Sequence, residues 1–333
     1  MWRLNEPTKD QLDNYCSLLE ADIIRRLDNN ATKKVLKIVK PELHALLISR
    51  PDQLVDINKR LMTKLVSSYS EKELLEYLNV KPKSIKKLKK DKNVAAAALR
   101  KKYDALLTKL QDWMGYETLI VGRKDVSYQI TQMKGRNTCT YCNRNYVPTI
   151  ETVDDKNNPI RVVRPHLDHW FSKELYPLLS MSFYNLIPSC PICNSSIKGN
   201  EVFALGKHIH PYCDDSRDFT FLANPGGKSG WSLVINRKAL SIEDTTIKAL
   251  HLDEIYVFHS DKEVKDIMEF ADANSEDYLK TLYEKVLHDL AGSKTPQEVY
   301  RMLFGTELDE DQQLDRPLSK MKHDLLKQIG VIK

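Results

Sequence analysis

Two Cys-x-x-Cys pairs, Cys139-Thr140-Tyr141-Cys142 and Cys190-Pro191-Ile192-Cys193, constrain this chain more than any other feature. A two-residue gap lets both sulfurs of a pair face one point, so four thiolates from two pairs can converge on a single tetrahedral zinc. The 47 residues between Cys142 and Cys190 exceed the link of a plain zinc ribbon, so a structural unit is expected between the knuckles. That insert carries His166-Leu167-Asp168-His169 and Asn185, and Asn194 follows the last cysteine directly. Four cysteines saturate a zinc ion and leave no open position, which argues against a zinc hydrolase.

The cysteines also bear on compartment. Met1 to Asp10 is polar and charged with no apolar segment behind it, so no secretion signal is read, and no apolar run approaches the ~18 residues of a membrane span. The expectation is a cytoplasmic protein with no membrane partner, whose paired cysteines bind metal rather than form disulfides. Cys16 and Cys213 are left over and read as packed or incidental thiols.

Charge divides the chain. Residues 1–138 carry 28 Lys and Arg against 17 Asp and Glu, residues 139–213 carry 7 against 6, and residues 214–333 carry 16 against 23. A basic front is compatible with a polyanion partner, and an acidic back with a solvated or protein-facing surface. Seven lysines fall within Lys81 to Lys92, either a strip along a phosphate backbone or a solvated helix face. Phosphate contacts of this kind position a protein without reading sequence.

Helical spacing dominates the first 114 residues. Thr8 and Gln11 form a capping box before the Leu12 to Leu27 pattern, which Asn29-Asn30 ends. Further helices are expected over 33–49 with Pro41 marking a break or a first turn, over 51–67, from a Ser70/Glu73 capping box to Leu78, and from Asn93 to Met114. The period weakens between Gly115 and Thr138, where a boundary is placed. Thr149 to Val153 and Ile160 to Val163 read as a hairpin around an Asp- and Asn-rich turn, Phe183 to Ile187 as a strand, and 194–198 as a helix start. Beyond Cys213, strands are expected at 219–223 and 231–235 about the Asn224-Pro225-Gly226-Gly227 turn, and helices over 253–273, 276–290 (with Ser275 as cap), 296–304 and 317–329. Glu307 to Asp315 reads as an acidic linker.

The chemistry follows from residue types. A divalent cation that stabilises a phosphorane-like transition state prefers hard oxygen ligands, which Asp168 and the Asn194 carbonyl can supply. His169 is then free to act as general base, its ordinary pKa near ~6.5 suiting proton removal from water. Asn185 is placed to bridge a loop to the strand and hold the base. His166 is a candidate for phosphate or metal contact and Lys198 for phosphate contact, with plain structural roles equally open, and His208 and His210 read as structural rather than as an extended rim.

These residues resemble the HNH, or ββα-metal, nuclease family over roughly 139–200. Asp168-His169 matches its acidic ligand and general base, Asn185 its central asparagine, and Asn194 its last position, where Asn is a common substitute for His. The paired knuckles match its zinc-bearing branch. The resemblance implies a structural zinc on Cys139, Cys142, Cys190 and Cys193, one catalytic Mg2+ or Mn2+ on Asp168 and Asn194, and hydrolysis of DNA, with RNA open as substrate. More narrowly, the chain resembles the HNH subunits of Septu-type and retron-linked antiphage systems, which implies an ATPase partner; it looks longer than many of them.

The expected fold is therefore predominantly helical α+β: a basic helical region over 1–130, a zinc-stapled nuclease core over 131–215, and a mainly helical region over 216–333. The competing function is a non-catalytic, zinc-stabilised nucleic-acid-binding or adaptor module, which has no need of Asp168, His169 and Asn194 together.

Overall fold

The computed structural model describes residues 3–80, 93–199, 201–214, 218–226, 230–273 and 312–332, with scattered positions between 281 and 309. The lysine strip at 81–92, Asn200, Gly227, Ser275 and most of the helices expected over 276–290 and 296–304 lie outside the described residues.

Helix α1 (Lys9–Asn30) begins on a complete capping box: Gln11 N–H donates to Thr8 Oγ1 and Thr8 N–H to Gln11 Oε1. It buries Tyr15, Cys16, Leu19, Ile23 and Leu27, one helical stripe. Pro41 breaks the next segment as expected, giving α2 (Lys33–Val39), a tight turn and α3 (Leu43–Ile48), and Pro51 opens α4 (Pro51–Leu65) at the position where its missing N–H costs nothing. Helix α5 (Glu71–Val80) uses half of its expected capping box. Ser70 Oγ accepts from Glu73 N–H at 3.5 Å, but the Glu73 carboxylate turns away to Lys102 and Tyr103 of α6 (Val94–Met114). Gly115 ends α6 at φ +78°, a left-handed position glycine takes without strain.

Residues 115–138 are more regular than the weakened period implies. A wide turn over Glu117–Val121 leads into α7 (Lys124–Lys134). Helix α7 buries the polar residues Ser127, Thr131 and Lys134 along with Val126 and Ile130, which is why its stripe is hidden in the sequence. Two of the three satisfy their hydroxyls on their own helix, Ser127 to Lys124 O and Thr131 to Tyr128 O.

Strands β1 (Ile150–Val153) and β2 (Pro159–Val163) form the expected antiparallel hairpin, with Asp154 Oδ1 accepting from Lys156 and Asn158 N–H at 2.8 Å in its turn. The hairpin is a sheet of its own. It hands the chain to β3 (His166–His169), which pairs antiparallel with β4 (Leu186–Ser189), His169 opposite Leu186 and Asp168 opposite Ile187. The strand expected over 183–187 is shifted: Phe183–Asn185 is a tight turn, because Asn185 is spent on loop carbonyls rather than on a ladder. A short, wide helical turn, Ile192–Ile197, follows β4.

A third hairpin, β5 (Phe219–Pro225) and β6 (Trp231–Arg237), is covered along β5 by α11 (Ser319–Gln328), whose Asp324 and Gln328 bond the backbone of Phe221 and Ala223. Between them lie α8 (Ile242–Ala249), capped by Ser241 and not anticipated, then α9 (Leu252–Val257) and α10 (Lys265–Asp272). The single helix expected over 253–273 is split by a wide turn at Ser260–Val264, where Ser260 Oγ accepts from Leu233 N–H of β6. Buried apolar residues from Leu4 to Leu325 form one continuous core, so N-terminal, central and C-terminal elements all contribute to it. Among the described residues no helix is long and apolar enough to cross a membrane.

Candidate functional site

The two knuckles converge. Sγ atoms of Cys139, Cys142, Cys190 and Cys193 all lie within 4.8 Å of one another, and all four residues are buried. Tetrahedral zinc with Zn–S bonds of about 2.3 Å sets its sulfurs about 3.8 Å apart, so the donor set and its size fit that ion. Backbone N–H groups of Cys190 and Cys193 approach Cys139 and Cys190 Sγ at 3.2 and 3.4 Å, an arrangement that stabilises thiolates. Burial holds the Cys139 thiol well above its ordinary value, while contact with Cys139 draws the Cys190 thiol down. Four buried thiolates cannot coexist without a cation among them. The C-terminal region clamps the first knuckle: Tyr256 OH donates to Cys142 O at 2.6 Å and Leu318 N–H to Asn143 O at 2.7 Å, with Asn143 at φ +49°.

Strand β3 places Asp168 and His169 on the wall of a cavity of about 850 Å³. Asp168 is 5% exposed, and its Oδ2 accepts from Tyr141 OH at 2.6 Å and pairs with Lys198 Nζ at 3.1 Å. No described residue bonds Oδ1. Lys198, itself buried, also donates to the His169 carbonyl at 2.8 Å, so it ties the turn after the second knuckle to β3. Lys198 thus forms an internal ion pair on the cavity wall.

His169 is 9% exposed and packs edge-on against Tyr116, ring centroids 4.3 Å apart. Its Nε2 lies 3.0 Å from the Ser180 carbonyl. A carbonyl only accepts, so Nε2 carries the hydrogen in the neutral ring and Nδ1 keeps its lone pair. No described residue bonds Nδ1. Burial first, with Lys173 adding to it, lowers the His169 pKa to about 3, so the ring is neutral at physiological pH.

Asn185 is fully buried and does not line the cavity. Its Oδ1 accepts from Phe171 N–H at 2.6 Å, and its Nδ2 donates to Phe171 O at 3.1 Å and Leu179 O at 2.8 Å. It thus pins the 170–180 loop whose Ser180 carbonyl faces His169 Nε2. Asn194, on the helical turn, lines the cavity with Asp168, and its Nδ2 lies 3.1 Å from His166 Nδ1. The Asn194 carbonyl oxygen has no described partner. His166, also on the cavity wall, therefore faces Asn194 directly.

His208 and His210 do not line the cavity. His208 stacks on Phe203 at 4.5 Å, and His210 is buried against Trp170 at 4.4 Å, its pKa lowered by burial to about 3. Cys213 is exposed and apart from the cluster.

Several cavity residues carried no sequence signal. Tyr116, Glu117 and Val121 come from the wide turn after α6, Leu78 and Asn79 from the end of α5, and Arg164 from the link between β2 and β3. Tyr116 donates to Leu167 O at 3.1 Å, so the N-terminal helical region both walls the cavity and holds β3. Tyr141, inside the first knuckle, was legible only as a spacer.

Comparison of the chain with protein-family profiles, with curated proteins and with solved structures finds no match.

Proposed function

We propose that this protein is a metal-dependent HNH endonuclease that hydrolyses phosphodiester bonds in DNA. The observation that carries the reading is the pairing of His169 Nε2 with the Ser180 carbonyl, which leaves Nδ1 as an unprotonated acceptor beside a buried carboxylate in an open cavity. Support also comes from the order of elements: two antiparallel strands, β3 and β4, followed by a short helical turn, with Asp168-His169 on the first strand and Asn194 on the turn.

Asp168 Oδ1 and the Asn194 carbonyl, both without described partners and both on the cavity wall, are the oxygens that fit a Mg2+ or Mn2+ ion. Such an ion would supply charge neutralisation at the phosphorus centre. His169 Nδ1 takes the proton of the attacking water, and the arriving phosphodiester raises the basicity of the ring, since an anion beside it favours the imidazolium. Arg164 lies on the same wall, its guanidinium donating to the Pro165 carbonyl at 2.9 Å, and offers further hydrogens to phosphate. Tyr141 and Lys198 hold the Asp168 carboxylate, and Asn185 holds the loop behind the base.

A non-catalytic zinc-stabilised module is the second reading, favoured by the Asp168–Lys198 pair, which can serve a purely structural end. A role as the cutting effector of an antiphage system with an ATPase partner rests on the sequence resemblance. Supercoiled plasmid incubated with zinc-loaded protein and Mg2+ or Mn2+ separates the two. Nicking or linearisation that EDTA stops and His169→Ala abolishes is the expected result; a cut that persists in His169→Ala, or none with either metal and a candidate ATPase added, sinks the nuclease reading.

A further inference from the structure

Where α1 meets α3, a second group of metal-ligand side chains stands apart from the cavity. Cys16 and Glu20 are one turn apart on α1, His44 comes from α3, and their ligand atoms all lie within 4.8 Å of one another. None of the three lines the cavity. His44 Nδ1 is 3.1 Å from Glu20 Oε2, with the two side chains 57% and 30% exposed, while Cys16 is buried beside them at 6%.

We propose that Cys16, Glu20 and His44 form a second zinc site, with water completing the coordination shell. The i,i+4 spacing sets Cys16 and Glu20 on one face of a helix, and α3 fixes His44 across from them. Tetrahedral zinc bonds of about 2.0–2.3 Å put neighbouring ligand atoms roughly 3.3–3.7 Å apart, close to the His44–Glu20 separation already present. One sulfur, one imidazole nitrogen and one carboxylate oxygen select a zinc-like ion over Mg2+ or Ca2+, which prefer oxygen alone. On binding, the Cys16 thiol loses its proton to solvent and the sulfur takes up the metal.

With one thiolate and an exposed rim, this site is weaker and more exchangeable than the four-cysteine centre. Its place in the fold is pointed. Tyr15, the residue before Cys16, donates its hydroxyl to Met181 O at 2.7 Å, next to the Ser180 carbonyl that orients His169. The ion therefore binds the helix that braces the loop behind the base.

The test is metal stoichiometry of the full-length chain, by equilibrium titration of metal-stripped protein with Co2+ and by elemental analysis after zinc reloading. Wild type is expected to take up two ions per chain, the first with the intense absorption of a tetrathiolate site and the second with that of a single thiolate. His44→Ala, whose side chain is mostly exposed and carries little of the fold, and Cys16→Ala should each lose only the second ion. Equal metal content and equal spectra in wild type and both variants overturn the site. Failure of the four-cysteine centre is distinguishable, because wild type would then bind one ion and His44→Ala none.

Discussion

His169 Nε2 lies 3.0 Å from the carbonyl of Ser180, and the side chain of Asn185 holds the neighbouring Leu179 carbonyl at 2.8 Å. The orientation of the ring is therefore set from behind by one loop, and that loop is set by one buried amide. Three main-chain groups depend on Asn185, and no solvent reaches them.

Replacing Asn185 with Ala should strand those groups in the interior. Each buried group left unpaired costs about 1–3 kcal/mol, so with three such groups a loss of at least about 3 kcal/mol is expected in denaturant unfolding. Plasmid cleavage should fall with it at temperatures where the variant is still folded, while tightly bound zinc stays at the wild-type level. Wild-type cleavage in Asn185→Ala would remove the amide from the positioning of the base.

Lys198 and Asp168 form an ion pair whose side chains are 3% and 7% exposed. Lys198→Met leaves a buried carboxylate with only the Tyr141 hydroxyl, and breaking such a pair costs about 3–5 kcal/mol. Because the uncompensated charge then favours a cation, millimolar Mg2+ should raise the melting temperature of Lys198→Met more than that of wild type. Equal shifts in the two proteins would show that Asp168 does not bind the ion.

The four cysteines can hold a zinc ion, and its removal should be felt throughout the molecule, since Tyr256 and Leu318 dock directly on the first knuckle. Cys193→Ala, or a strong chelator under mild heating, is expected to cut cooperative stability by several kcal/mol. Loss of the sharp thermal transition with helical circular dichroism largely retained is the expected signature. An unchanged transition after complete zinc release would make the centre dispensable.

His210 provides a pH dependence separate from the metal sites. Burial, with Lys134 and Arg50 adding to it, lowers its pKa from 6.5 to about 3, and its backbone N–H donates to Asp214. Folding therefore favours the neutral ring, and the unfolded chain binds the extra proton between these values. The stability it contributes is complete above pH 6.5 and is lost as pH falls toward 3. His210→Asn keeps an acceptor for the Tyr212 N–H that His210 Nδ1 now receives, so its unfolding free energy should fall less steeply between pH 7 and 5 than in wild type. Parallel slopes in the two proteins would place the ionisation elsewhere.

Features that depend on near neighbours in the chain were legible before any coordinates. Knuckle spacing, the Thr8/Gln11 cap, the break at Pro41 and the β1–β2 turn around Asp154 are local geometry, settled within a few residues. Where polar residues were buried, the reading failed: α7 hides its stripe behind Ser127 and Thr131, and Ser260 splits the expected C-terminal helix by bonding β6.

By itself, the sequence determined that four cysteines in two short pairs could meet at one point, because the spacing of each pair and the chemistry of each side chain are properties of the chain. Only the tertiary structure decided which nitrogen of His169 is free, that Lys198 and Tyr141 share Asp168, that Tyr116 walls the cavity, and that His44 meets Cys16 and Glu20. Those pairings join residues from about 11 to more than 50 positions apart. They exist because packing of distant elements into one core brings the groups together, and no local period records which partner each will find.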